Sequence, residues 1–261
     1  MNKLAHFTNI NALINHILPQ QKLRASNLLR LNDPLENEWP KVFSYESNDG
    51  GVVPTDYQCF YEKHAPQIGK FIKVLCFSSY DHHLIKKMPF SAPHLNMRMW
   101  SQYGDGHKGA CLIFEKEDLI GKSPGENNIL CSDDVMYDSQ PAPWGSHTCH
   151  NISEFNTSNS SIEDFFHENV KKDIKSHPGQ IFTKRMEWRD ELEFRLAFYE
   201  SQLDFSYLSI ANKIKEIHFG AMANEKNIEI VSNLFPEIPL FKLTLHEKGV
   251  KSVSLIARRL G

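Results

Sequence analysis

The chain has 261 residues, 41% of them hydrophobic and 11% aromatic, with a formal net charge of −3. That length buries a full core without disulfide or metal staples, and the acidic balance excludes nucleic-acid binding driven by bulk charge. The 5 cysteines (Cys59, Cys76, Cys111, Cys131, Cys149) are odd in number and form no CxxC pair, the pattern of reduced thiols rather than of a disulfide framework.

Lys3–Thr8 reads as a short apolar strand carrying His6. An amphipathic helix follows at once: Ile10, Leu13, Ile14, Ile17 and Leu18 fall on one helical face, Thr8 or Asn9 caps it, and Pro19 stops it. Lys22–Asn27 predicts a strand, Asn32-Asp33-Pro34 a turn, and residues 38–58 an irregular stretch. Phe71–Ser79 is the strongest buried-strand signal, a β-branched and aromatic run ending in Ser78 and Ser79. Met97–Tyr103 predicts one helical turn, and Gly104, Gly106 and Gly109 lead into a strand over Ala110–Phe114. A strand over Asp134–Tyr137 and a polar loop over 144–160 come next. Ser161-x-x-Asp164 resembles a capping box opening a helix whose inward face is Ile162, Phe165, Phe166, Val170 and Ile174. Strands over Glu191–Tyr199 and Ile214–Phe219, a helix over Asn224–Leu234, and strands over Pro239–Leu245 and Val250–Ala257 complete the chain. Strands outnumber helices without regular βαβ alternation, so the expected fold is α+β, in one domain over 1–261. No window holds 18 uncharged apolar residues and the N-terminus lacks a signal-peptide layout, so the expectation is a cytoplasmic protein without a membrane partner.

The stretch richest in chemistry is Lys184–Phe198. On a strand, Leu192, Phe194, Leu196 and Phe198 share one face and Glu191, Glu193, Arg195 and Ala197 the other. The second face is either a solvated row of paired charges or a carboxylate held ionised by a neighbouring Arg. Trp100 and Tyr103, three apart on a helical turn, are either core or a stacking surface. Ser78 and Ser79 either bond a ligand or cap a turn. The glycines match neither GxGxxG nor GxxxxGK[ST], which rejects Rossmann and P-loop readings. His82-His83 with His94, and His147-x-Cys149-His150, lack the second paired motif of a structural zinc site, so no metal is expected. Asp33, Glu36, Glu191 and Glu193 are hard-cation ligand types, which keeps a metal-dependent nuclease as an alternative.

Taken in order, LAHFT with its helix, LRASNLLRLNDPLE, LCFSS, MRMWSQYGDGHKGACLIFE, the VMY strand, KRMEWRDELEFRLAF and IKEIHFGAMAN resemble a bacterial family known as domain of unknown function 2971. More distantly, the order strand-with-His, helix, hydroxyl-bearing strand, aromatic, late strand-with-Glu is similar to the ADP-ribosyltransferase superfamily. That resemblance implies a split, strand-rich core with flanking helices cradling NAD as a substrate. It implies that His6 bonds the NAD ribose and Thr8 assists at the nicotinamide side. Ser78, Ser79 or Tyr103 takes the middle role, with Tyr103 preferred for stacking. Glu193 is then the late carboxylate, with Glu191 as the alternative. It also implies an effector of the bacterial phage-defence or toxin type, acting on a protein or on a nucleic acid drawn to a local basic patch (Lys184, Arg185 and Arg189, or Arg258 and Arg259). The competing expectation is a non-catalytic module binding a nucleotide or a protein through His6, Trp100 and Arg195.

Overall fold

The computed structural model of the chain describes residues 3–33, 44–46, 59, 62–64, 67–80, 92–121, 128–139, 149–151, 161–176, 178–246 and 249–255. The strands in chain order are β1 (Lys3–Thr8), β2 (Lys22–Asn27), β3 (Ser44–Glu46), β4 (Ile72–Ser79), β5 (Ala110–Glu115), β6 (Ile129–Asp134), β7 (Met136–Asp138), β8 (Cys149–Asn151), β9 (Thr183–Arg185), β10 (Glu193–Tyr199), β11 (Ser206–Ser209), β12 (Glu216–Phe219), β13 (Leu240–His246) and β14 (Gly249–Leu255). Among them, 10 form one mixed sheet running β11-β2-β4-β1-β5-β12-β13-β14, with β10 against β4 and β6 against β10. β12 and β13 are parallel and joined through the helix Glu225–Leu234. The other described pairs are antiparallel apart from two short parallel ones, β3 with β8 and β7 with β9. Helices and a mixed, strand-rich sheet make this an α+β fold. No helix among the described residues is long and apolar enough to cross a membrane.

Period-2 alternation decides which side chains enter which layer. Leu4, Leu75, Phe77, Leu112, Phe114, Phe194 and Leu196 pack on one face against Leu13, Ile17 and Leu18 of the first helix and Ile228 and Val231 of the 225–234 helix. The opposite face carries two separate clusters. Phe166, Val170 and Ile174 of the helix Ile162–Ser176 cover Val74 and Ala197. Met99 and Trp100 of the helix Met97–Gln102 cover Ala5, Phe7 and Cys111. Each fully buried Leu or Phe stabilises by about 1.5–3 kcal/mol. Polar side chains stand in the gap between the two clusters.

Several local expectations shift by a turn. Asn9, not Thr8, caps the first helix, its Oδ1 accepting from Ala12 N at 2.7 Å. That helix widens to π geometry over Leu13–Ile17, so Leu18 N–H donates to Leu13 O. Pro19 is accommodated within the closing segment Leu18–Gln20, and the chain turns only at Gln21, in left-handed conformation at φ 50°. The capping box forms, with Asp164 N–H donating to Ser161 Oγ at 3.1 Å and that hydroxyl donating back to the Asp164 carboxylate at 2.8 Å. The expected strand over Asp134–Tyr137 is two strands that break at Val135, whose N–H leaves to donate to Glu193 O at 2.8 Å. The strands Thr183–Arg185 and Ser206–Ser209 and the helix Lys116–Ile120 were not legible, being too short to show a period. Short strands also stand where only irregular chain was expected, at Ser44–Glu46 and Cys149–Asn151. Pro34, Glu36, His82, His83, His147, His177, Arg258 and Arg259, with most of 38–58 and 144–160, lie outside the described residues.

Candidate functional site

The site begins with a fork in the sheet. β10 pairs with β4 from Ile72 to Ser78 and so occupies one whole edge of that strand. The other edge is shared. β2 takes its beginning, at Asn27↔Lys73 and Ser26↔Val74, and β1 takes its end, at Ala5↔Ser78 and Leu4↔Ser79. β1 and β2 diverge over Leu75–Phe77, and a hollow of about 230 Å³ lies there, lined by all three strands. At the fork His6 Nδ1 meets the Cys76 carbonyl at 3.0 Å, and its ring lies 5.5 Å from Phe77. A carbonyl only accepts, so Nδ1 carries the proton, and the neutral ring leaves Nε2 as an acceptor. Burial holds the His6 pKa below its ordinary value, partly opposed by the Cys76 contact.

Behind the fork sits a buried network of four charges. Register places Ser78 opposite Glu193 and Cys76 opposite Arg195, so all four face the gap between the two clusters. Arg195 forks onto Glu193, Nε to Oε1 at 2.8 Å and Nη2 to Oε2 at 2.9 Å, and its Nη1 donates to Ile181 O at 2.6 Å. Lys184 Nζ donates to Glu191 Oε2 at 2.7 Å and to Glu193 Oε2 at 3.3 Å. The Tyr103 hydroxyl donates to Glu191 Oε1 at 2.7 Å. Burial pushes the Glu193 carboxyl up, but the Arg195 guanidinium with its hydrogen bonds, and Lys184, outweigh it and hold the group at about 2. The Tyr103 phenol is raised by burial and then by Glu191, so it is a neutral donor. Two carboxylates and two cations balance, as burial of charge requires. The two acids differ in spare capacity. A carboxylate offers roughly four acceptor positions; Glu193 meets Arg195 twice and Lys184 once, whereas Glu191 meets one phenol and one ammonium.

The two acids reach this arrangement by a route the sequence did not display. Met186–Glu191 is a 3-10 helix, and Leu192 follows in left-handed conformation at φ 46° before β10 begins at Glu193. Glu191 therefore is not on the strand, contrary to the expectation of a continuous strand from it. Of the two readings of the charged face, the solvated row is not what stands there: Arg195 is 1% and Glu193 6% exposed, and the guanidinium forks onto the Glu193 carboxylate.

His6, Tyr103, Ser78, Glu191, Glu193 and Arg195 all line the hollow. Thr8, Ser79 and Trp100 do not line it. Thr8 is paired with Ala110 of β5, beyond the point where β1 has left β4. Ser79 pairs with Leu4 in the ladder, and its N–H donates to Leu192 O at 2.7 Å. Trp100 is core: fully buried, it donates Nε1 to His94 O at 2.9 Å and meets Phe7 edge-on at 5.1 Å. Lys184, expected in a basic patch, is 4% exposed and locked onto the two acids. Residues the sequence reading missed are Arg24, Ser26, Arg30 and Asn32. Arg24 and Ser26 were signalled by the alternation of KLRASN, in which Leu23 and Ala25 are core. The Arg24 and Arg30 guanidinium groups lie 4.4 and 5.7 Å from the centre of the Phe205 ring, holding positive charge at the rim. Among the described residues, no group of three or more His, Cys, Asp or Glu side chains is arranged to hold a metal ion.

Residues 99–196 match a family described as protein of unknown function (DUF2971). The matched segment contains Met99, Tyr103, Lys184, Glu191, Glu193 and Arg195, so it supplies the helical wall and the whole charge network. His6 and the β2 residues of the rim lie outside it. No curated protein and no solved structure matches the chain.

Proposed function

We propose that the protein consumes NAD as an ADP-ribosyltransferase-like enzyme working in the hollow between β1 and β2. What supports this reading is one convergence: a neutral imidazole, a phenol and two carboxylates from distant parts of the chain line one hollow, with Arg24 and Arg30 beside them. At about 230 Å³ the hollow falls below the roughly 300–1,000 Å³ of a whole small-molecule site. It suits one ring with its sugar, leaving phosphates to lie outward over the two arginines. Breaking the bond between nicotinamide and ribose develops positive charge on the sugar. Glu191, with its spare acceptor capacity, stabilises that charge, while Lys184 and the Arg195–Glu193 pair position it. His6 Nε2 accepts from a sugar hydroxyl, and the Tyr103 ring walls the planar leaving group. The acceptor is a protein or nucleic acid, in a bacterial defence or toxin-type role.

The test is nicotinamide release from NAD by the pure protein, with and without cell extract. Turnover that falls at least about a hundredfold in folded Glu191→Gln supports the proposal; no release by the folded wild type overturns it. A second reading, a nucleotide-binding module without turnover, is favoured by one observation: Lys184 and Arg195 already neutralise both acids. It gives NAD-dependent thermal stabilisation with no nicotinamide.

A further inference from the structure

A second and larger cavity, about 540 Å³, opens at the other end of the β2–β4 junction. Its polar lining includes Asn27, Arg30, Gln67, Lys70, Lys73 and Asp204. Asn27 and Lys73 face each other in the ladder, the pair with which β2 takes its share of β4. Three cations against Asp204 make a positive hollow on a chain whose formal net charge is −3. Lys73 is unusual in itself: it is 3% exposed, and its ammonium donates to the Lys70 carbonyl. Burial lowers its pKa, while the Asp204 and Glu200 carboxylates oppose that shift and Arg30 adds to it.

A second, independent observation points to a ligand. Asn27 is 8% exposed, and its Oδ1 is buried with no hydrogen-bond partner among the described residues. An acceptor left so costs about 1–3 kcal/mol, and such a cost is removed by a donor brought in from outside. Asn27 lines the cavity, and the terminal torsion of Asn is broad and soft, which puts its amide within reach of a donor seated there. Cations for an anion, an acceptor for a hydroxyl or amino group, and a volume within the range of small-molecule sites together define the ligand chemistry.

We infer that this cavity binds a phosphorylated small molecule of nucleoside monophosphate size, its phosphate held by Arg30, Lys70 and Lys73 and a hydroxyl or amino donor taken by Asn27. The inference does not depend on glycosidic chemistry in the first hollow. Because Arg30 lines both cavities, a phosphate seated here holds that guanidinium away from the first.

The experiment is calorimetric titration of the whole protein at low ionic strength, where charge-assisted contacts are least screened. The probes are AMP, ribose 5-phosphate, inorganic phosphate and adenosine. AMP or ribose 5-phosphate is expected to bind, with adenosine at least about tenfold weaker, a difference of about 1.4 kcal/mol. Lys70→Ala removes an exposed side chain but keeps the carbonyl that Lys73 uses, and is expected to weaken AMP by a similar factor at unchanged melting temperature. Tyr103→Phe, in the first hollow alone, is expected to leave AMP binding unchanged. Absence of AMP and ribose 5-phosphate binding, equal binding by Lys70→Ala, or loss in Tyr103→Phe in place of Lys70→Ala overturns the assignment.

Discussion

Tyr103 and Glu191 are 88 positions apart in sequence, yet the phenol donates to the carboxylate at 2.7 Å. Tyr103 closes the Met97–Gln102 helix, and Glu191 closes the 3-10 turn before β10. With Asn96 Nδ2 donating to Asp190 O at 3.0 Å and Arg98 Nη1 to Glu187 O at 3.2 Å, this bond ties the helical wall of the hollow to its charged floor. A hydrogen bond to a charged group contributes about 1.5–3 kcal/mol. Tyr103→Phe is therefore expected to destabilise by that amount in urea unfolding, and to slow any nicotinamide release without changing its KM. A variant as stable as the wild type would show that Lys184 alone holds Glu191.

The network should answer double substitution differently from single. Arg195→Met strands Glu193 against one shared ammonium in a buried setting, with an expected cost of about 3–5 kcal/mol. Adding Glu193→Met leaves Lys184 paired with Glu191, a neutral remainder, and is expected to recover part of that loss. A double-mutant cycle by chemical denaturation measures the coupling. Strict additivity of the two single effects would mean that the four charges do not act as a unit.

The Glu193 carboxyl gives a pH dependence of definite sign. Its folded value, about 2, lies below the ordinary 4.5, so the unfolded chain takes up the proton first as pH falls. The stabilisation is present in full above the ordinary carboxyl range and is lost between about 4.5 and about 2. Melting temperatures followed down through this window are expected to fall more steeply for the wild type than for Glu193→Gln. Parallel curves would contradict the assignment.

Close backbone approach fixes the turn behind Tyr103. A Cβ at Gly220 would lie 2.1 Å from the His107 carbonyl oxygen, and one at Gly109 would lie 2.2 Å from the Thr8 carbonyl oxygen. These glycines let the 104–109 turn dock on 220–222, where Gly220 N–H donates to Gly109 O at 3.0 Å and Met222 N–H to His107 O at 2.9 Å. Gly220→Ala is expected to cost at least the roughly 1–3 kcal/mol of overpacking. Thermal unfolding checks it, with Ala221→Gly at the neighbouring position as the tolerated control.

Much of this architecture was legible because burial imposes periodicity. The alternation over Glu193–Phe198 separated Phe194, Leu196 and Phe198 from Glu193 and Arg195, although Leu192 precedes the strand and Ala197 is core, and the helix over 162–176 showed its inward face at Phe166, Val170 and Ile174. What stayed hidden was set by contacts between distant segments. The fork depends on which residues of β4 meet β1 and which meet β2, and such register is not written in any single strand. Lys184 reads locally as a surface lysine, and only the fold brings two acids to its ammonium. Leu192 adopts a left-handed conformation that its side chain does not favour, so no glycine marked the break. Trp100 and Tyr103 share a face on a regular helix, but Tyr103 is the closing residue with φ widened to −119°, and its phenol turns to Glu191 while Trp100 stays in the core.

The first hollow owes its existence to the parting of two strands and not to small side chains. Residues such as Ser26 or Asn32 are therefore replaceable without erasing it, since the backbone keeps the opening. Ligand preference can thus be altered by substitution at the rim while the framework persists, and a changed chemistry needs no new architecture.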